Sequence, residues 1–268
     1  MMLNWESKKV FLKNKYYYSV LYHKGINNKN IIFLHGLGSA KEDFLEAINY
    51  SNLREISLLA IDLIGHGESV TPQEFSYTML EQAKNIVSLL EELSFDKNLV
   101  IVAHSMGGPI AILLAELLQY KPLAIIYAEG NIDFNDCFGS NTIMSSGSLE
   151  NWERKNFAET LEELRKEENY EISNYADNFE KAGAKTVYLS SLDLVKISRE
   201  DILIHKLIKL DIPILPLFGE MNKGKFTSEK KIKQHFQIEY ISNSGHDMML
   251  TNPDEFYQAI IKFISKLK

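Results

Sequence analysis

The run "VIVAHSMGGP" (Val100–Pro109) contains the residue types that nucleophilic chemistry needs. A β-branched stretch ends at Ala103-His104-Ser105-Met106-Gly107, and a helical pattern starts at once. The spacing is G-x-S-x-G with Ala in place of the first Gly. A serine held in a tight, strained strand-to-helix turn brings its neighbours at −2 and +2 close to other backbone. Both must therefore be small, and Ala is the least disruptive substitute for Gly. Such a turn exposes the Ser105 hydroxyl and sets it beside a helix N-terminus, whose N–H groups favour developing negative charge. Cys137, the single cysteine, sits in "NDCFGS" with no partner histidine in a recognised arrangement and reads as structural. No H-x-H or H-E-x-x-H pattern and no phosphate-binding glycine loop occurs, so neither a metal nor a cofactor is expected.

The elements that must position Ser105 are short apolar runs. "NIIFLHG", "SLLAIDL", "NLVIVAHS", "PLAIIYAEG" and "IPILPLFGE" are near-continuous, as suits strands buried on both faces of a parallel sheet, and "FQIEYI" supplies a shorter late one. Residues 8–23, "KKVFLKNKYYYSVLYH", read as an opening hairpin around "KNK". Helical patterns separate the runs. Leu80, Ala83, Ile86, Val87 and Leu90 recur at helical spacing between Tyr77 and Leu93. "PIAILLAELLQY" is apolar nearly all round and belongs against the sheet centre, and "PDEFYQAIIKFISKL" closes the chain as an amphipathic helix with Pro253 in its first turn. The alternation predicts an α/β fold with a doubly wound, mostly parallel sheet. From Ile132 to Leu210 no buried strand is predicted. "SLENWERKNFAETLEELRKEEN" is helical instead, with Phe157, Leu161 and Leu164 on one stripe. The expected organisation is a core of residues 1–131 and 211–268, interrupted by a helical lid insertion at 132–210.

These motifs together resemble the α/β-hydrolase superfamily over nearly the whole chain. "FLHGLGS" (Phe33–Ser39) is similar to the family's His-Gly oxyanion loop. The resemblance implies that the backbone N–H groups of Leu37 and Met106 hold the oxyanion. "DLIGHGES" (Asp62–Ser69) resembles a structural turn of the family, in which His66 packs the loop. "NSGHDMMLTNPDEF" resembles the catalytic-histidine loop and implies that His246 is the general base, taking the Ser105 proton and returning it to the leaving group. His23, His205 and His235 lack a comparable context and read as surface residues. His35 and His104 lie inside motifs and are expected to shape loops.

The family commonly carries its catalytic carboxylate three residues past the glycine of "LFGEMNKGK", where this chain has Asn222. Three replacements are open. Glu129 ends the preceding strand in "AEGNID", a position that some family members use, and its longer side chain favours it. Glu220 follows Gly219 directly, and Asp133 lies four residues beyond Glu129. All three keep the chain order Ser…acid…His.

Length and composition allow one sizeable core: 268 residues, of which 45% are apolar. A formal charge of −7 argues against nucleic-acid and anionic-membrane partners. No apolar run approaches the ~18 residues needed to span a bilayer, and the polar N-terminus lacks a secretory apolar stretch. The expected protein is cytoplasmic, a monomer or homodimer, acting on a small molecule. Met106, Met144, Met248 and Met249, with Trp152 and Leu37, are candidates to line an apolar cavity, but methionine at such spacings more often belongs to the core, and that is the favoured reading. The first reading is a serine hydrolase of a small, mostly apolar ester, working through an acyl-enzyme on Ser105. The alternatives are a ligand-binding or signalling module on the same scaffold, for which Asn222 is the best support, and a C–C hydrolase or lyase.

Overall fold

A computed structural model describes residues 5–95, 97–166, 170–199 and 201–267. The first four residues of the polar N-terminus and residues 167–169 of the predicted helical stretch lie outside the described residues. Eight strands form one sheet: β1 (Glu6–Phe11), β2 (Tyr17–His23), β3 (Asn30–Leu34), β4 (Ser57–Ile61), β5 (Leu99–His104), β6 (Ala124–Ala128), β7 (Ile214–Gly219) and β8 (Glu239–Ile241). Their spatial order is β1-β2-β4-β3-β5-β6-β7-β8, and from β4 through to β8 every pair is parallel. β1 and β2 form the opening hairpin, and β2 joins β4 antiparallel.

β4, β5, β6 and β7 are buried along their whole length, and β3 from Ile31 onward, because helices cover both faces. Ile32 and Leu34 of β3 with Ile101 and Ala103 of β5 face one core, whereas Ile31, Phe33, Val100 and Val102 face the other. The helices Met79–Glu92 and Gly107–Leu117 pack on the first side; Phe256, Tyr257, Ile260 and Ile264 of the helix Pro253–Ile264 pack on the second. Local chemistry sets the helix starts. The Thr78 hydroxyl accepts from Glu81 N–H at 3.2 Å, and Asn252 Oδ1 accepts from Glu255 N–H at 3.3 Å ahead of Pro253. Leu80 departs from the predicted stripe: it is 43% exposed, and Met79 takes the buried position beside it.

Between β6 and β7 the described residues hold helices and no strand. Ile143, Trp152, Leu161, Phe179, Val187 and Tyr188 give this region its own small core. The helix Tyr170–Ile197 is broken at Gly183, whose φ of 76° and ψ of 158° no helix admits. Among the described residues, no helix is long and apolar enough to cross a membrane.

The strand order reverses at β3 and β5: the chain moves outward from β3 to β4, and from β5 to β6 on the opposite side. A crevice opens beyond the carboxyl ends of the strands at such a reversal. Register then sets which residues meet there. Leu34 pairs with Ala103, His104 with Ala128, and Ala128 with Leu217. The residues that follow these strands, Leu37, Ser105, Glu129 and Asn222, therefore emerge at one rim.

Candidate active site

Ser105 occupies the turn between β5 and the helix Gly107–Leu117 with φ at 52°, a left-handed value uncommon for a residue with a side chain. Three backbone bonds hold it there. Ser105 N–H donates to the Ala128 carbonyl at 3.1 Å, and the Ser105 carbonyl accepts from Gly108 at 2.9 Å and Asn131 at 3.2 Å. The small residues follow from close approach. A Cβ on Gly107 would stand 2.6 Å from the Leu34 carbonyl oxygen, and one on Gly36 would stand 3.2 Å from Ser105 Cβ. The β3 loop and the serine turn thus touch backbone to backbone.

His35 fixes the β3 loop. Its Nδ1–H donates to the Gly36 carbonyl at 2.7 Å, and its Nε2 accepts from Leu63 N–H at 3.0 Å. Burial, opposed by the Gly36 bond and reinforced by Lys41, lowers the ring's pKa to about 4, so it stays neutral in this tautomer. Tyr175, from the helical region between β6 and β7, donates its hydroxyl to the Leu37 carbonyl at 3.2 Å. Among the described residues, the N–H groups of Leu37 and Met106 donate to no backbone or side-chain acceptor. Two free donors therefore flank the Ser105 turn.

The turn Asp62–Ser69 is structural in its contacts. The Asp62 carboxylate accepts from Lys41 N–H at 2.8 Å, Lys41 Nζ at 2.7 Å and Glu68 N–H at 2.9 Å. His66 is fully buried there, 5.2 Å from the His35 ring. His205 and His235 are exposed; His23 is half-buried, its Nε2 2.9 Å from the Arg54 carbonyl, and so is not the plain surface residue expected.

His246 lies in the loop between β8 and the helix Met248–Thr251, and its Nδ1 is 2.7 Å from Glu129 Oε2. Glu129 directly follows β6 with φ at 41°, which turns its side chain along the rim. That side chain is only 2% exposed, and every contact it makes is a donated proton. Gly219 N–H donates to Oε1 at 2.8 Å, and Asn222 Nδ2 lies 3.0 Å from both oxygens. Asn222 is thus a partner of Glu129. The other two carboxylates bond elsewhere: Glu220 accepts from Asn243 N–H at 3.3 Å, and Asp133 accepts from Asn135, Thr227 and Lys231. Burial alone would lower the His246 pKa, but the hydrogen bond and charge of Glu129, with Asp247 and Asp136 behind it, carry the net shift upward. Among the described residues no hydrogen bond joins Ser105 to His246; such bonds often tighten only when substrate is present.

An Asn222→Asp substitution tests how this carboxylate is held. It places a second carboxylate against both Glu129 oxygens, and two so close cannot both ionise. The pair then holds a proton more tightly folded than unfolded, so stability falls as pH rises. The expected loss at pH 8 is about 2 kcal/mol, roughly 5 °C in Tm, recovering toward pH 5. Thermal melts at the two pH values measure it; equal losses at both contradict it.

Ser105 and His246 open onto one cavity of about 290 Å³. Gly36, Leu37 and Ser39 form one wall, while Phe138, Tyr175 and Leu194 reach it from the helical region between β6 and β7. The methionines take the core positions that their spacing favours. Met106, Met248 and Met249 are fully buried in the two sheet cores, and Met144 and Trp152 pack within or against the helical core. Of the six candidates, Leu37 alone lines this cavity. Phe138, 57% exposed at the cavity, was not anticipated, because an isolated aromatic beside Gly139 has no periodic signal. Cys137 also touches the cavity, but burial pushes its thiol up to about 11 and leaves it un-ionised.

Residues 31–259 match the profile of the Alpha/beta hydrolase family. With a parallel sheet of this order and a serine turn after β5, the chain belongs to that family. It is 23% identical over 248 residues to a putative esterase/lipase of Haemophilus influenzae, covering 90% of this chain and 85% of that one. It is 22% identical to putative esterase/lipase 2 of Mycoplasma genitalium, across 96% of this chain and 97% of the relative. The fold superimposes on an esterase from Exiguobacterium antarcticum with a TM-score of 0.78 and 18% identity, covering 97% of this chain and all of the other.

Proposed function

We propose that this protein is a serine esterase in which Ser105, His246 and Glu129 act as a catalytic triad. The observation that carries the reading is the 2.7 Å contact between His246 Nδ1 and a buried Glu129 that also accepts from Gly219 N–H and Asn222 Nδ2. That contact holds the proton on Nδ1 and leaves Nε2 free to accept one. Ser105 Oγ attacks the ester carbonyl as His246 takes its proton. The tetrahedral oxyanion accepts from Leu37 and Met106 N–H, each such donor typically worth ~3 kcal/mol. His246 then protonates the leaving alcohol, and a water activated in the same way hydrolyses the acyl-enzyme.

The helical region between β6 and β7 serves as the lid, since Phe138, Tyr175 and Leu194 close the cavity from that side. Among the described residues no Lys or Arg lines the cavity while Asp136 and Asp247 do, which disfavours an anionic substrate, and a volume near the lower end for ligand pockets favours short acyl groups. Asn222, the best support for a binding module, is engaged in holding Glu129, and this favours the enzyme reading. The esterase and lipase names of the relatives agree with it.

The test is incubation of the wild-type protein with a fluorophosphonate, with p-nitrophenyl acetate and butyrate assayed in parallel. Brisk labelling at Ser105 and turnover of both esters are expected, with p-nitrophenyl palmitate at least tenfold slower. A folded protein that neither labels nor turns over either short ester would sink the proposal.

A further inference from the structure

The residue before the nucleophile makes contacts that nucleophilic attack itself does not require. His104 is 3% exposed at the end of β5, and its Nε2 lies 3.1 Å from the carbonyl oxygen of His246, 142 residues away. A carbonyl only accepts, so Nε2 must carry the proton and Nδ1 must be bare. That Nδ1 is buried and has no hydrogen-bond partner. It faces Gly36, where a Cβ would stand 3.3 Å away. The His104 ring also packs against the His246 ring, with centroids 4.5 Å apart at 50°.

An apolar side chain would fill this site without a bare, buried Nδ1 but would leave the His246 carbonyl without this donor. What histidine adds is one donor, and it is spent on the loop that carries His246. That loop needs a tether. Ser242 to Asp247 form no helix or strand, and a Cβ on Gly245 would meet nothing within 4 Å. Ser242 to Ser244 are bonded to Glu255, Asn252, Glu220, Met221 and Thr251, and the Asp247 carbonyl accepts from Leu250 and Thr251 N–H, but at His246 the backbone is held through His104. Glu129 holds the imidazole but leaves the His246 backbone free. Burial first, then the neighbouring His246, keep the His104 ring's pKa well below the ordinary histidine value, so it remains a neutral single donor.

We propose that His104 is a positioning residue: through its Nε2–H it clamps the His246 carbonyl to the strand that carries Ser105 and so sets the distance between nucleophile and base. The proposal rests on the esterase reading for its consequence in turnover. The clamp ties the two reacting side chains to one rigid element, because Ser105 is its chain neighbour and His246 its hydrogen-bonded partner. Misplacement of a catalytic group by about 1 Å can cost about 10²-fold in rate.

The experiment compares three variants. Gln places its Nε2 the same number of bonds from Cα as histidine's Nε2, whereas Asn is too short to reach and Leu has no donor. His104→Leu and His104→Asn are expected to lose about 10²-fold in kcat with KM within about twofold, and to label with fluorophosphonate correspondingly slowly. His104→Gln should recover to within about tenfold of wild type. Melting temperatures separate a clamp from a folding defect, and if the Leu variant does not fold, the Asn and Gln pair decides alone. Unchanged kcat in the Asn variant, or a Gln variant as impaired as Asn at equal Tm, overturns the proposal. A long-range ¹H–¹⁵N spectrum of the wild-type protein tests the geometry without reference to activity. It should show His104 as the neutral Nε2–H tautomer, and an Nδ1–H tautomer rejects the clamp. A wild-type protein that fails to label at Ser105 while showing that tautomer defeats the esterase reading and leaves the clamp standing.

Discussion

A Ser105→Ala variant is expected to fold as the parent does and to lose about 10⁶-fold in kcat. The two halves of this expectation have separate causes. Among the described residues the Ser105 side chain makes no hydrogen bond, so its removal strands no buried partner. Ala also keeps the Cβ that the left-handed turn already accommodates at a φ of 52°. Stability should change by less than about 0.5 kcal/mol. Chemistry, by contrast, loses the atom that attacks. What survives is the contribution of the Leu37 and Met106 donors and the cavity, about 10³-fold over water in comparable enzymes. Steady-state hydrolysis of p-nitrophenyl butyrate, with a thermal melt on the same preparation, measures both halves. Turnover within tenfold of wild type would mean that Ser105 is not the nucleophile.

Glu129→Gln should cost about 10⁴-fold in kcat, the scale seen when a triad acid becomes its amide. Every neighbour of this carboxylate is a donor: His246 Nδ1, Asn222 Nδ2 and Gly219 N–H. An amide cannot satisfy them all. If its oxygen takes Gly219 and Asn222, its NH₂ meets His246 Nδ1 and drives the imidazole into the wrong tautomer, with the proton facing Ser105. If it flips, two donors collide at Gly219. Substrate binding involves neither arrangement, so KM should move little. The pH profile carries a second signature. In the proposed triad His246 works as a base only when neutral, so kcat/KM should fall as pH drops through its pKa, which Glu129 helps to raise against burial. In wild type the acid limb should lie above the ordinary histidine value. In the amide variant that raising charge is gone and burial remains, so the limb should move to lower pH. An unshifted limb, or activity within tenfold of wild type, would assign the carboxylate role elsewhere.

Much of the scaffold is legible in the residues themselves. The strands β5 and β6, buried throughout, and β3, buried from Ile31 onward, appear as continuous apolar runs because both of their faces meet helices. The serine turn is legible because backbone contact at Gly107 tolerates no larger side chain. The cavity wall is less so. Met106, Met248 and Met249 suit either a pocket or, as their spacing favours, a core, and packing sends them to the core. Leu80 fits the helical stripe by spacing, yet the helix is rotated so that Met79 is buried in its place. That rotation leaves no mark in the local pattern.

The absent aspartate shows where the boundary falls. From its residues, "LFGEMNKGK" yields a missing acid at Asn222, and the chain offers Glu129, Glu220 and Asp133 as candidate replacements. Periodicity and turn chemistry are local, and they place strands, caps and the tight serine turn. Which side chains meet across the rim depends on strand order and register. The Glu129–His246 contact spans 117 residues and exists because β6, β7 and β8 lie side by side with their carboxyl ends aligned. The same alignment turns Asn222 from an apparent loss into two hydrogen bonds on Glu129. Local sequence determined the elements and the place of the serine turn; tertiary structure decided which carboxylate faces the histidine, because that contact is made between strands and within none of them.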